Sequence, residues 1–157
     1  FFASTGINIY TGIALFTFQS LMFGPFLGLI MLEMDENDGY KALKIVFLVT
    51  LLTGLIGYSD IYSFSENTYF AVFLLVCLLG LILFEFIRVI KGFSRQAIRA
   101  KAIFGAFIFS LFLLFDFNLI AKGEYMSNNW DSAFELAFTI YLDIINLLLE
   151  ILEAMDN

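Results

Sequence analysis

The chain predicts an all-α integral membrane fold, a single transmembrane helical domain over residues 1–157 built as a bundle of about five helices, and three observations carry that prediction. Of 157 residues, 61% are hydrophobic, and the mean hydropathy is +0.92. Charged residues make up 15% of the chain, against about 25% in an ordinary soluble domain. The apolar residues also gather into runs of about twenty, enough at 1.5 Å per residue to cross roughly 30 Å of hydrocarbon.

The first run, residues 7–32, holds no formal charge, and the first charged residue of the chain is Glu33. The second, residues 41–58, opens on Lys41 and Lys44, whose long stems can lie along apolar surface while the ammonium reaches water. The third, residues 69–90, stays uncharged until Glu85, and the fourth, residues 102–121, is interrupted only by Asp116. The fifth, residues 132–152, carries Glu135, Asp143 and Glu150. Short connections make sequence neighbours antiparallel neighbours in space. The opening stretch from Phe1 to Gly6 lacks the basic region of a signal peptide, and the apolar run after it is too long for one. With no initiating Met, the chain reads as processed or as part of a longer one.

Composition removes whole classes of chemistry. The chain has no His and one Cys, which excludes haem ligation by His, His-containing zinc sites and Ser-His or Cys-His catalytic pairs. Cys77 sits in the middle of the third run, where it reads as a packing residue. No cofactor is expected. The basic residues Arg88, Lys91, Arg95, Arg99 and Lys101 crowd the third connection, while the other connections are acidic or nearly neutral: Glu33, Asp35, Glu36 and Asp38; Asp60 and Glu66; and Lys122, Glu124 and Asp131. The third connection therefore belongs on the positive side of the membrane, and the basic run reads as a topology determinant with no nucleic-acid partner.

Asp116 and Asp143 are the least expected residues of the chain. An ionised carboxylate at bilayer depth costs at least ~2.5 kcal/mol, so something must offset it: a partner charge, a shared proton or a wet path. At about 100° per residue, Glu135, Thr139, Asp143, Asn146, Glu150 and Glu153 fall within an arc of about 80°, and the opposite side of that helix is apolar. The stripe must face the bundle interior or a wet cavity. Two readings follow, a conduit or proton-binding face, and a polar knot that holds helices together. Asp116 shares its face with Lys101, Ala102, Gly105 and Phe112, small residues among them that allow close helix approach. Measured from the last connection, Asp116 lies roughly 10 Å deep and Asp143 roughly 18 Å. If they meet, the two carboxylates cannot both ionise cheaply, and the pair holds one proton as a proton-sensitive latch.

The segments Leu114-Phe115-Asp116-Phe117-Asn118-Leu119-Ile120 and Ile140-Tyr141-Leu142-Asp143-Ile144-Ile145-Asn146-Leu147-Leu148-Leu149 resemble the last two transmembrane helices of the Bax inhibitor-1 family, also called the transmembrane Bax inhibitor motif family. Upstream, Phe16 to Leu27, with Gly24-Pro25 near its end, is similar to that family's third helix; in physical terms the proline kinks a helix where neighbours take up the carbonyl it frees. The resemblance implies a seven-helix bundle of which this chain supplies helices three to seven. It also implies a calcium or cation leak closed by an aspartate pair, at Asp116 and Asp143, and tuned by protonation. Phe117-Asn118 stands where the family usually has Thr-Gln.

Two functions are carried forward. In the first, the chain is a pH-sensitive calcium or cation leak in a bacterial inner membrane or an organelle membrane, the mitochondrial inner membrane or the endoplasmic reticulum. Asp116 and Asp143 sense protons or cations, with a supporting polar face of Glu135, Thr139, Asn146, Glu150 and Asn118. Calcium near Asp143 would find the oxygen ligands that hard cations prefer. In the second, the chain is a non-catalytic subunit of a large membrane assembly such as a respiratory complex, its polar stripe turned to partner subunits. Proteolysis by an aspartyl pair is chemically conceivable, but the surrounding motifs do not resemble known membrane aspartyl proteases, and the chain is not expected to be an enzyme.

Overall fold

The computed structural model describes residues 9–123 and 130–156, with the side chains of residues 130–132 outside the description. The opening stretch Phe1 to Gly6 and the last-connection residues Glu124 and Asp131 therefore lie outside the described residues or side chains. Five helices follow one another: α1 (Ile9–Leu32), α2 (Glu36–Tyr58), α3 (Thr68–Lys91), α4 (Arg95–Lys122) and α5 (Trp130–Met155). No strand occurs among the described residues. By length and composition, α1, α2, α3 and α4 are each apolar enough to cross a membrane, while α5 carries the acidic stripe along its length.

The helix starts are set by polar caps that an apolar-run reading passes over. The carboxylate of Asp35 accepts from the backbone N–H of Asn37 at 3.2 Å, and Glu36 and Asp38 occupy the first turn. An acidic first turn complements the positive end of the helix dipole, so α2 begins at Glu36, five residues before the apolar run. Ser94 does the same for α4 by accepting from the N–H of Ala97 at 3.3 Å. The sequence places residues 95–101 in a connection, yet they form the first two turns of α4, and only Gly92, Phe93 and Ser94 separate it from α3. Gly92, at φ 69°, supplies the left-handed turn that ends α3. α1 continues through Pro25.

α4 is the centre of the arrangement. It packs against α5, α2 and α3, while α5 also meets α2 and α1. α2 thus packs chiefly on α4 and α5 and not on its sequence neighbour α3. Ala42 and Val46 of α2, Leu74 of α3, Ile108 and Leu113 of α4 and Leu147 of α5 form the heart of the buried cluster. α1 is peripheral, and Gly12 is its one buried residue among those described.

Close approach of α2 to α4 depends on Gly57. A Cβ there would stand 2.7 Å from the carbonyl oxygen of Leu114 and 3.1 Å from the backbone nitrogen of Asn118, which is backbone against backbone. The same crossing is stitched by Asn118, which is fully buried. Its amide donates to the carbonyls of Gly57 at 3.0 Å and Tyr62 at 3.2 Å and to the carboxylate of Asp60 at 3.2 Å. Its carbonyl oxygen accepts from the N–H and the hydroxyl of Ser65, each at 2.9 Å. Asp60 sits at φ 53°, a left-handed conformation that Asp tolerates better than most residues.

Candidate functional site

Asp116 of α4 and Asp143 of α5 come together across the most extensive helix contact of the fold. Asp116 is 4% exposed and Asp143 8%, and their carboxyl groups lie within hydrogen-bonding reach of each other. One oxygen of each, Oδ2, is buried with no donor from any other described residue. Among the described residues no lysine or arginine pairs with either carboxyl. Two buried carboxyls this close repel strongly if both are ionised. One shared proton turns that repulsion into a charge-assisted O–H···O⁻ bond, so the proton count belongs to the pair.

The depth mismatch read from the sequence is resolved by where the helices end. Asp116 is six residues, about 9 Å, from Lys122, while Asp143 is thirteen residues, about 20 Å, from Trp130. α5 therefore starts well past the end of α4, and the two carboxyls meet at one level.

Toward the other end of the same interface stands a cluster of five charges. The Lys101 ammonium, 6% exposed as a side chain, donates to Glu150 (Oε2 3.0 Å, Oε1 3.2 Å) and to Glu153 (Oε2 2.7 Å), and also pairs with Glu85. Arg88 pairs with Glu153 and, at 3.4 Å, with Glu85. Glu85 and Arg88 stand one turn apart on α3, and Lys101 and the acidic end of α5 close on them. The sequence carries a signal for this closure. Antiparallel packing of α4 and α5 brings the start of one beside the end of the other, so basic residues at the start of α4 and Glu150 and Glu153 near the end of α5 share one end of the bundle. Gly105 makes room there, since a Cβ would stand 2.6 Å from Cδ of Glu150.

A cleft of about 480 Å³ opens at this cluster, walled by Glu33, Met34, Glu85, Lys101, Asn146 and Glu150 among others. Asn146 lies one helical turn from Asp143, so the cleft reaches to within a turn of the aspartate pair. The stripe on α5 is therefore graded: Asp143 buried, Asn146 on the cleft, and Glu150 and Glu153 in the ionic cluster.

The remaining predicted residues fall elsewhere. Thr139 is exposed, and its hydroxyl donates back to the carbonyl of Glu135 at 2.9 Å; Glu135 is half-buried, and no described hydrogen bond joins either to the aspartates. Asn118, expected in the supporting polar face, instead ties α4 to the end of α2 and the α2–α3 connection, where Gly57, Asp60, Tyr62 and Ser65 offer it both acceptors and donors. Among the described residues no group of three or more acidic, His or Cys side chains is placed to hold a metal ion. Glu135, Asp143 and Glu150 are strung along a helix and do not converge on a point.

No family model matches the sequence. Two uncharacterized proteins, from two strains of Helicobacter pylori, are each 24% identical to it over 151 residues, which is 96% of this chain and 61% of theirs. The chain thus spans about three fifths of the length of the curated relatives it matches.

Proposed function

We propose that the chain is an integral membrane protein and a pH-sensitive leak for calcium or other cations, closed where Asp116 meets Asp143, as its resemblance to the Bax inhibitor-1 family implies. The observation that carries this reading is the approach of two buried carboxyls, with no basic partner among the described residues, inside an interface between long apolar helices. A structural tie needs no such pair; an amide or hydroxyl would join two helices at lower cost. A shared proton makes the contact conditional, and a conditional contact is what a gate requires.

Membrane residence is supported by the outward faces of the bundle. Leu21, Leu32, Phe47, Leu55, Phe86 and Val89 are all exposed, spread over α1, α2 and α3. In water each such side chain gives up roughly 25 cal/mol per Å² of buried apolar area, a loss that hydrocarbon removes. The graded stripe on α5 supports a path, because a cation entering from the charged end meets oxygen ligands one after another and finds no deep resident site. That arrangement suits passage, which needs binding weak enough to release.

The test is calcium flux into liposomes carrying the purified protein, measured across pH and compared with Asp116→Asn and Asp143→Asn. The leak reading expects flux that changes with pH in the native protein and loses that dependence in both variants. Flux that is absent, or indifferent to both substitutions, ends it.

A second reading, a non-catalytic subunit of a larger membrane assembly, draws on α1, whose outward residues Tyr10, Phe18, Met22 and Phe26 are exposed and which buries little else. Gentle detergent extraction separates the two: a leak migrates alone or as a small oligomer, and a subunit migrates with a fixed set of partners.

A further inference from the structure

We infer that the Lys101 ammonium is a tethered cation that occupies the cation position among the carboxylates of the cleft, and that it keeps free cations from settling there on the way to Asp143. The physiological meaning of the plug rests on the leak reading above; its geometry does not.

Three carboxylates, Glu85, Glu150 and Glu153, surround one ammonium, and Arg88 supplies the only other positive charge of the cluster. The cluster therefore carries one net negative charge; Glu33 and Asp156 add to it on the cleft wall, and Arg95 and Arg99 offset them from the adjoining pocket that Glu153 and Asp156 also line. Such a rim draws cations from solution. At its centre they meet Lys101, which is a compact point charge with three donors shared among three carboxylates. Its oxygen neighbours are the kind that hard cations take. The space that a mobile cation would occupy is thus filled by one that cannot leave.

Position adds to charge. Glu85 is well exposed, Glu150 and Glu153 less so, and Lys101 only 6%, so the ammonium sits on the inner side of its ring. Beyond it lies Asn146, and one turn further Asp143. A cation in the cleft, which Lys101 and Asn146 both line, shares that space with the ammonium. At close range the repulsion is strong in a partly buried setting and weak in bulk water.

A bland alternative makes the cluster a tie that fastens the ends of α3, α4 and α5. Charge-selective access at constant net charge separates the two, because Lys101→Gln with Glu150→Gln removes the ammonium without changing the cluster's charge, and a tie then predicts no change in the cationic-to-neutral ratio. The experiment uses the full chain in proteoliposomes with Cys77→Ser, which removes the sole native thiol, and Asn146→Cys as the reporter. Reaction with a cationic methanethiosulfonate is timed against a neutral reagent of similar size. With Lys101 in place the cationic reagent is expected to lag; in Lys101→Gln its rate rises on the order of tenfold relative to the neutral one, while Lys101→Arg stays slow. The double variant with Glu150→Gln keeps the cluster's net charge and is expected to show the same release, and it serves also where Lys101→Gln does not fold. Equal ratios in the native protein and the double variant, or release in Lys101→Arg, overturn the plug. Flux recorded on the same samples keeps the two claims apart: a pH-indifferent flux sinks the aspartate gate whatever the labelling shows, and an unchanged labelling ratio sinks the plug whatever the flux shows.

Discussion

Asn118 of α4 donates to the carbonyl of Gly57 at the end of α2, 3.0 Å away and 61 positions earlier in the chain. With its other bonds to Ser65, Asp60 and Tyr62, one amide closes off the α2–α3 connection. Asn118→Ala would leave these groups without their partner, at roughly 1–3 kcal/mol for a buried unsatisfied group. Asn118→Asp is expected to be worse, since it replaces the donor with an acceptor facing two carbonyls and the Asp60 carboxylate. Thermal unfolding in detergent checks the order: native above Ala, and Ala above Asp.

Three glycines make a graded series. Gly57→Ala forces a Cβ to 2.7 Å from the carbonyl oxygen of Leu114, and backbone cannot step aside, so α2 must move off α4 at a cost of about 1–3 kcal/mol. Gly105→Ala meets the carboxylate end of the Glu150 side chain at 2.6 Å, which can shift but only by loosening its bonds to Lys101, so the expected cost lies between those of the other two. Gly80→Ala meets nothing within 4 Å and is expected to be neutral or to stabilise by up to about 1 kcal/mol through helix propensity. Denaturation midpoints of the three variants test the series; a Gly57→Ala protein as stable as Gly80→Ala would show that the helices are not in contact there.

The helical class and the five elements were legible because long apolar runs leave few other solutions. The beginnings of α2 and α4 were not, since Glu36 and Arg95 are polar and a hydropathy reading assigns them to connections, whereas the caps Asp35 and Ser94 start helices there. The face of Asp143 was legible from angular spacing on α5, and that spacing also brings Asn146 and Glu150 into line. Asn118 was misplaced for a reason spacing cannot repair: a lone polar residue in an apolar helix turns toward the polar groups it can reach, and those lie at the end of α2 and in the connection after it, 53 to 61 positions away. The ionic cluster was half legible, with Lys101 placed on the face of Asp116, but its partners become visible only once the order of helix packing is known.

Protonation of the aspartate pair sets the sign of the pH response. With one proton the carboxyls are joined by a charge-assisted bond worth roughly 1.5–3 kcal/mol; with none they repel. Raising pH past the loss of the last proton therefore favours separation of α4 from α5, and the open population is expected to rise by about ten- to a hundredfold. A second proton, added on acidification, removes the charge assistance and weakens closure by a smaller amount. Asp143→Asn supplies a permanent N–H donor to Asp116, so the alkaline rise should vanish. Flux against pH in liposomes reads all three limbs, and an alkaline rise that persists in Asp143→Asn would mean that other groups open the path.

The two lysines of α4 test how far burial governs an ion pair. Lys101 is 6% exposed and held by three glutamates, whereas Lys122 is 18% exposed, 3.3 Å from Asp60 and 3.5 Å from the well-exposed Glu66, with a bond to the Ser63 hydroxyl at 2.7 Å. Removing one partner of a buried pair leaves uncompensated charge and costs about 3–5 kcal/mol, so Lys101→Met should destabilise strongly. A solvent-screened pair is worth about 0–1 kcal/mol, so Lys122→Met should cost little and lose most of that small effect in high salt. Salt should rescue Lys101→Met in part, because solution cations can enter the cleft and screen the carboxylates left there. Adding Glu150→Gln to Lys101→Met should recover part of the loss, because it removes one of the charges left without a partner. Chemical denaturation of the two single variants and the double, at low and high salt, decides the matter; equal costs for the two lysines would mean that Lys101 is as wet as Lys122.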